Sequence, residues 1–200
     1  MRPLYRFLAL LALFCPAAHA QTKLEATDLA THPFSADFPS GGQIRMHIRS
    51  GEIRILGSED DKITVELSGK NAADAKDLKV RLERSGDQAN LRVSGGPRND
   101  LTITIHAPKN SGLFVRIPAG DVEVQGFTAN KDVEVHAGEL RLAVGDATDY
   151  SHVDASVLAG EVDGDPFGES KGGLFRGFKK EGAGKYRLHA HVGAGQLTLK

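Results

Sequence analysis

The sequence has very little cysteine, tryptophan and methionine. It has one cysteine, Cys15, no tryptophan and two methionines among 200 residues. A lone cysteine cannot close an intrachain disulfide, so packing and hydrogen bonds must hold the fold together. Neither sign of charge is in clear excess, since the chain has 25 basic and 26 acidic residues. This balance predicts neither a nucleic-acid-binding protein nor a polybasic membrane-binding surface.

The first 20 residues, MRPLYRFLALLALFCPAAHA, have the composition of a secretory signal peptide. Arg2 and Arg6 precede an apolar run, and small residues at Ala18 and Ala20 predict cleavage before Gln21. The run is shorter than the roughly 20 residues that span a bilayer. A lipoprotein acylated at Cys15 is the alternative, which the bulky preceding Phe14 disfavours. The sequence therefore predicts an exported protein, periplasmic or extracellular, with no transmembrane segment in its mature chain.

The mature chain is predicted to be all-β, because apolar and polar residues alternate over most of it. Residues 21–42 form a polar leader segment with one expected strand around Phe34 to Phe38, and residues 43–200 form a single domain. The stretch ERSGDQAN predicts a hairpin turning at Gly86. Asn71 to Asp77, NAADAKD, is the one stretch that suggests a helix, of two turns at most.

A short phrase recurs along the chain: a small residue, glycine, an acidic or polar residue, then alternating apolar positions. It occurs as SGEIRIL, AGDVEVQGF, AGELRLAVG, AGEVDGDPF and AGQLTLK. A glycine before a short strand lets the chain turn a corner. Short strands returning about every 20 residues are typical of stacked coils, in which each unit buries its apolar row against the next. We therefore predict a β-solenoid-like stack of glycine-cornered short strands, with a β-sandwich as the alternative.

These phrases, together with VEVHAGELRL and GAGQLTL, resemble the DUF4097 family of bacterial adhesin-like proteins. The resemblance covers roughly Gln43 to Lys200. It implies an exported β-domain of the cell envelope without assigned catalysis. It brings no catalytic residues to place on this chain.

The sequence offers no residues for catalysis, so we predict that the protein is not an enzyme and carries no cofactor. The H-E-x-x-H motif is absent, and no cysteine remains after the predicted cleavage. His189 and His191 share one face of a predicted strand with Arg187. Further metal ligands are missing from the neighbouring sequence, which favours polar positions on a half-exposed strand over a metal site.

Five aspartates near the C-terminal third raise the question of calcium. Their spacing fits neither an EF-hand nor a calcium-binding β-roll, and aspartate next to glycine is typical of turns. Turns are therefore favoured over calcium for Asp146, Asp149, Asp154, Asp163 and Asp165.

The stretch Asp165 to Tyr186 departs from the alternating pattern and is rich in glycine, phenylalanine and lysine. It is predicted to be a loop, with two interpretations. Its aromatic rings cap the open end of the stack, which a solenoid must cover, or they are displayed to bind a partner. The candidate partner-binding residues are Phe167, Phe175, Arg176, Phe178, Lys179 and Lys180.

Together these features predict an exported, non-enzymatic β-domain that acts as an adhesin-like binding or structural module of the cell envelope. Its expected partner is an envelope protein or a glycan, and not a nucleic acid. The alternative is a periplasmic β-barrel that carries a small apolar ligand.

Overall fold

The computed structural model describes residues 21–200, so the predicted signal peptide lies outside the described residues. These residues form thirteen strands and two short 3₁₀ turns. The strands are β1 Thr22–Ala26, β2 Phe34–Asp37, β3 Gln43–Ile48, β4 Gly51–Ser58, β5 Lys62–Ser68, β6 Lys79–Ser85, β7 Gln88–Ser94, β8 Thr102–Pro108, β9 Gly112–Gln125, β10 Lys131–Leu142, β11 Tyr150–Gly164, β12 Glu169–Glu181 and β13 Tyr186–Leu199. The 3₁₀ turns span Ala147–Asp149 and Asp165–Phe167.

The all-β prediction is confirmed, and the alternation explains which residues are buried. In β3, for example, Ile44, Met46 and Ile48 point into the core while the residues between them are exposed. Strands β6 and β7 pair as the predicted hairpin, and Gly86 in its turn has a φ of +58°. One apolar core collects the inward side chains of nearly every strand.

The helix predicted for Asn71 to Asp77 does not form. These residues make consecutive turns, in which the Asp74 N–H donates to the Asn71 carbonyl at 3.2 Å and the Leu78 N–H to that of Ala75 at 3.0 Å. The Asn71 side chain donates to the Asn99 carbonyl, and its N–H donates to Asp100. It therefore ties two loops together rather than capping a helix.

The leader segment, residues 21–42, contributes two strands. β2 lies where one strand was expected and pairs antiparallel with β5. β1 pairs antiparallel with β6. β1 was not predicted because it lies at the edge of the sheet, where none of its five residues is buried.

The sheet runs in the order β1-β6-β7-β3-β9-β10-β13-β11-β12, and a second run, β2-β5-β8-β4, joins it at β9. Strand β9 pairs in parallel with β3 through its first half and with β4 through its second half. It is therefore one bent strand with two arms. Strands β10, β13 and β11 continue both arms in parallel, and β12 closes the series antiparallel to β11.

The recurring phrase marks the bend of each strand. Six glycines face one another in register and form a glycine row across the stack: Gly51, Gly120, Gly138, Gly195, Gly160 and Gly173. In β9 the buried residues on either side of the bend, Ile117 and Val122, are five positions apart. The bend thus breaks the two-residue period, and both arms keep their apolar side chains on the core side.

Close approach makes glycine necessary inside this row. Gly138 has a φ of +122°, and a Cβ built on it would lie 2.1 Å from the carbonyl oxygen of Gly120. No side chain fits at that distance, so neighbouring backbones can stack at the bend only if each residue there is glycine.

The predicted stack is confirmed with two differences. Except at Gly51, where β3 ends at Ile48 and β4 begins, the strand continues through each glycine of the row. Strand β13, the last in sequence, lies between β10 and β11. The sheet is open, since β1 and β12 at the two ends of its order do not pair with each other within residues 21–200. The closed barrel required by the carrier alternative is therefore not formed by this part of the chain.

Candidate functional site

The stretch predicted to be a loop is a strand. Residues Asp165–Phe167 form a 3₁₀ turn, and Glu169–Glu181 form β12, the last strand of the sheet. β12 pairs with β11 on one side, and within residues 21–200 no strand pairs with its other side. Ten of its thirteen residues are exposed. An edge strand of this kind presents backbone donors and acceptors that another strand can use.

The three phenylalanines of this region have different environments. Phe167 and Phe178 are buried, with ring centroids 6.0 Å apart, and Phe167 also meets the Tyr150 ring edge-on at 6.2 Å. These two rings cover the end of the core, as the cap interpretation expects. Phe175 is 79% exposed and has a φ of +52°. It covers nothing, so the cap interpretation does not extend to it.

The basic candidates on β12 also have separate roles. Lys179 forms an ion pair with Asp154 at 3.0 Å. Lys180 donates to the carbonyl of Phe167 and so holds the 3₁₀ turn against β12. The Arg176 Nε donates to the Gly172 carbonyl at 3.1 Å and has no carboxylate partner among the described residues.

A shallow groove of about 380 Å³ lies beside Phe175. Leu158, Phe175 and Arg176 are among the residues that line it. Leu174, next to Phe175, is 65% exposed, and Leu158 on β11 is 48% exposed. Exposed leucine and phenylalanine side chains beside an open sheet edge can receive apolar side chains of an added strand.

One polar pair borders this groove. The Ser156 Oγ lies 3.0 Å from the His191 Nδ1, across the β11–β13 pairing. A hydroxyl next to an imidazole is the start of a nucleophilic site, which further needs an orienting group and oxyanion donors. Within residues 21–200 no hydrogen bond or ion pair joins a carboxylate to His191. The arrangement adds no support for catalysis.

His189 has acidic neighbours that sequence reasoning missed. Asp132 and Glu134 on β10 bring their oxygens within 4.8 Å of each other and of the His189 ring. The Arg116 guanidinium already contacts both carboxylates, Asp132 at 2.8 Å and Glu134 at 3.0 Å. The cluster is thus an ion-pair network across β9, β10 and β13. No local sequence motif predicts this network, because it depends on the register that places Asp132 opposite His189.

The aspartates considered for calcium do not converge. Asp146 accepts from the Thr148 hydroxyl at 2.7 Å and its N–H at 2.9 Å, and these bonds lower the pKa of Asp146. Asp165 begins the second 3₁₀ turn. Asp154 pairs with Lys179 on β12. Asp146, Asp149 and Asp165 therefore lie in turns, as predicted, whereas the turn prediction is wrong for Asp154 and Asp163, which lie within strand β11.

No helix within residues 21–200 is long and apolar enough to cross a membrane. No protein-family model matches the chain. No curated protein matches it either. Membership of the DUF4097 family therefore stays a prediction.

Two solved structures are similar to this chain. One is a "putative cell adhesion protein" from Clostridium sporogenes, 13% identical, with a TM-score of 0.49 over 84% of this chain and 99% of that one. The other is a "putative adhesin" from Bacteroides fragilis, 11% identical, with a TM-score of 0.34 over 84% of this chain and 97% of that one. At these identities and scores neither resemblance carries an argument about function.

Proposed function

We propose that this protein is an exported, non-enzymatic binding module of the cell envelope, and that it binds an extended segment of a partner protein along the open edge of β12. The carrying observation is that one edge of β12, the last strand of the stack, pairs with no strand within residues 21–200, and that β12 displays Leu174 and Phe175. Export rests on the composition of residues 1–20.

Strand addition is favoured over a contact through side chains alone. An added strand gains affinity from main-chain hydrogen bonds and specificity from pockets for alternate side chains. β12 has one backbone edge that pairs with no strand within residues 21–200, and its Phe175 and Arg176 side chains line the groove that also includes residues of β11. Natural proteins usually protect such edges with short strands, proline, inward charges or charged side chains, lysine above all, and β12 carries Lys171, Lys179 and Lys180. β12 is 13 residues long and has no proline.

The charge of β12 indicates which segment fits. It carries four basic residues against two acidic ones, Glu169 and Glu181. Arg176, next to Phe175, is not neutralised by a carboxylate within residues 21–200. An acidic extended segment with apolar residues at alternate positions complements this edge.

Site-specific photocrosslinking tests the proposal. A photoreactive residue replaces Leu174 in the exported protein, and cells are irradiated. The matched control carries the same residue at Leu24, an exposed leucine on β1 at the other end of the sheet order. We expect an adduct with an envelope protein from position 174 and none from position 24. Phe175→Glu should abolish the adduct, since it places a charge where apolar contact is needed.

Two results would overturn the proposal. One is an absence of adducts at position 174 in cells that export the protein. The other is an adduct of twice the chain mass, which would show that β12 pairs with a second copy of this chain rather than with a different partner.

A further inference from the structure

A row of basic side chains crosses the outer face of the sheet, far along the strand order from β12. Strands β6, β7, β3 and β9 place Arg81, Arg92, His47 and Arg116 directly opposite one another in register. We call these four residues the basic row. Neighbouring strands lie about 4.8 Å apart, so the row extends for roughly 15 Å perpendicular to the strands.

Such a row costs stability, because like charges directly opposite each other on neighbouring strands are unfavourable. Its two ends are neutralised. Arg81 pairs with Glu25 at 2.7 Å, and Arg116 pairs with Asp132 and Glu134. Its centre is not: Arg92 and His47 form no ion pair with any residue in 21–200, and both side chains are exposed. The arginine without an ion-pair partner within residues 21–200, Arg92, thus lies inside the row.

A groove follows the same part of the row. It has a volume of about 510 Å³, and its lining includes His47, Lys79, Arg81 and Arg92. Glu25 is its one acidic lining residue, and that carboxylate is already shared by Lys23 and Arg81. These two cations lower the pKa of Glu25, so its carboxylate stays ionised and paired with them. The groove therefore keeps a net positive charge from Arg92 and Lys79.

We propose that this groove and the basic row bind a linear anionic polysaccharide, whose carboxylate groups lie along the row. A regular polymer of acidic sugars presents repeated single charges, which can meet Arg92 in the row and Lys79 beside it in the groove. Exposed arginines suit carboxylates because the guanidinium donates two parallel hydrogen bonds to them. The ligand would run across the strands, from β6 toward β9.

A polysaccharide fits the row better than a single-stranded nucleic acid does. Proteins that bind single strands stack bases on exposed aromatic rings. The aromatic ring next to this row is Phe114, and the Arg116 guanidinium lies over its face, 3.6 Å from the centroid. Acidic residues also flank the row, with Glu25 beyond Arg81 and Glu134 beyond Arg116. These carboxylates limit contact with the row to a short run of anionic groups.

Binding of oligogalacturonate to the purified protein tests the proposal, measured by calorimetry at low salt and again at 0.15 M salt. A neutral oligosaccharide of equal length and a single-stranded oligonucleotide are the comparison ligands. The key variant is Arg92→Gln. Its matched control is Arg54→Gln on β4, which removes an exposed strand arginine that pairs with Glu52 elsewhere on the surface.

We expect the acidic oligosaccharide to bind, the neutral one not to bind, and affinity to fall as salt rises. Arg92→Gln should weaken binding about fivefold, whereas Arg54→Gln should leave it unchanged. The Arg92→Gln protein should melt no lower than the parent at low salt, because the substitution relieves repulsion in the row. Should it fail to fold, Lys79→Gln replaces it as the test variant.

Equal binding of acidic and neutral sugars would overturn the proposal, as would binding that both arginine substitutions leave unchanged. Tighter binding of the oligonucleotide would overturn the assignment to a polysaccharide. The test is independent of the β12 proposal, since none of its variants lies on or beside β12.

Discussion

The inner bent strands and the edge strand β12 each bend at a glycine, but they differ in how far their residues are buried and in how closely the neighbouring backbone approaches that glycine. In β10 the residues of the first arm alternate strictly between buried and half-buried, and the bend at Gly138 presses against the backbone of β9. In β12 most residues are exposed, and a Cβ on Gly173 would meet only the end of the Arg176 side chain, at 3.2 Å.

The difference shows how position in a stack, rather than local sequence, decides what a residue does. Gly138 and Gly173 have the same φ of +122°. Lys131 and Lys180 occupy the same row of the sheet, since Leu188 is opposite Lys131 and Val153 links Leu188 to Lys180. Lys131 is buried to 1% exposure, and Lys180 is exposed. These matched pairs make the comparison testable.

The largest effect is expected where β12 does contribute to the core. Phe178→Ala should lower the free energy of unfolding by about 3–5 kcal/mol, because it opens a cavity beside Phe167. Phe175→Ala, three residues earlier on the same strand, should change it by less than about 0.5 kcal/mol. Urea unfolding of both variants measures the difference. Equal destabilisation would mean that Phe175 is packed against the core.

The second prediction separates the stability cost of the close backbone approach in the glycine row from the cost of the backbone angle alone. Gly173→Ala should cost about 1–2 kcal/mol, the strain of an alanine at this φ. Gly138→Ala should cost about 3 kcal/mol, since its Cβ also collides with the Gly120 carbonyl and forces the backbones apart. Thermal melts of the two variants supply the comparison. If the two melting temperatures fall equally, the close approach of the strands does not contribute.

The third effect concerns the buried amine. Lys131 donates to the Tyr150 hydroxyl, which itself donates to the Val144 carbonyl at 2.7 Å. Burial lowers the pKa of Lys131 to about 8, with Asp149 opposing the shift. In the unfolded chain a lysine titrates near 10.4. Between these values the unfolded state binds more protons, so the unfolding free energy should rise with pH, by about 1.5 kcal/mol from pH 8 to 9.5.

Substitution of Lys131 tests whether this residue causes the pH dependence of the unfolding free energy. Lys131→Met should remove the rise, whereas Lys180→Met, its exposed counterpart, should keep it. Measurements should stop at pH 9.5, because burial raises the pKa of Tyr150. Unfolded tyrosine ionises near pH 10 while the buried Tyr150 does not, so stability is lost above that pH. An unchanged slope in Lys131→Met would assign the pH dependence to another group.

Much of the fold could be predicted because alternation and glycine placement are local signals. The buried positions of β3 and the turn at Gly86 follow directly from the sequence. The bends were also visible, although the continuity of each strand through its glycine was not. A one-residue break in the period looks like an end, and only the neighbouring strand shows that pairing continues beyond it.

The sites were harder to predict because they depend on register between distant strands. Arg81 and His47 are far apart in sequence, yet both belong to the basic row. Asp132 approaches His189 for the same reason. The β12 region appeared to be a loop because its glycines and lysines hide the alternation, and an edge strand needs few buried residues to form. The cap interpretation anticipated that Phe167 and Phe178 cover the core. It did not anticipate that Phe175 is exposed.

The position of β13 has a consequence for the order in which the molecule assembles. β13 is made after β11 and β12, yet it lies between β10 and β11 and pairs in parallel with both. Until residues 186–199 are in place, the hairpin of β11 and β12 has no sheet to join, and β10 keeps an open, apolar edge. Parallel pairings across such sequence distances form slowly. We therefore expect a chain that lacks residues 186–199 to leave the edges of β10 and β11 without their β13 partner and to be prone to aggregation.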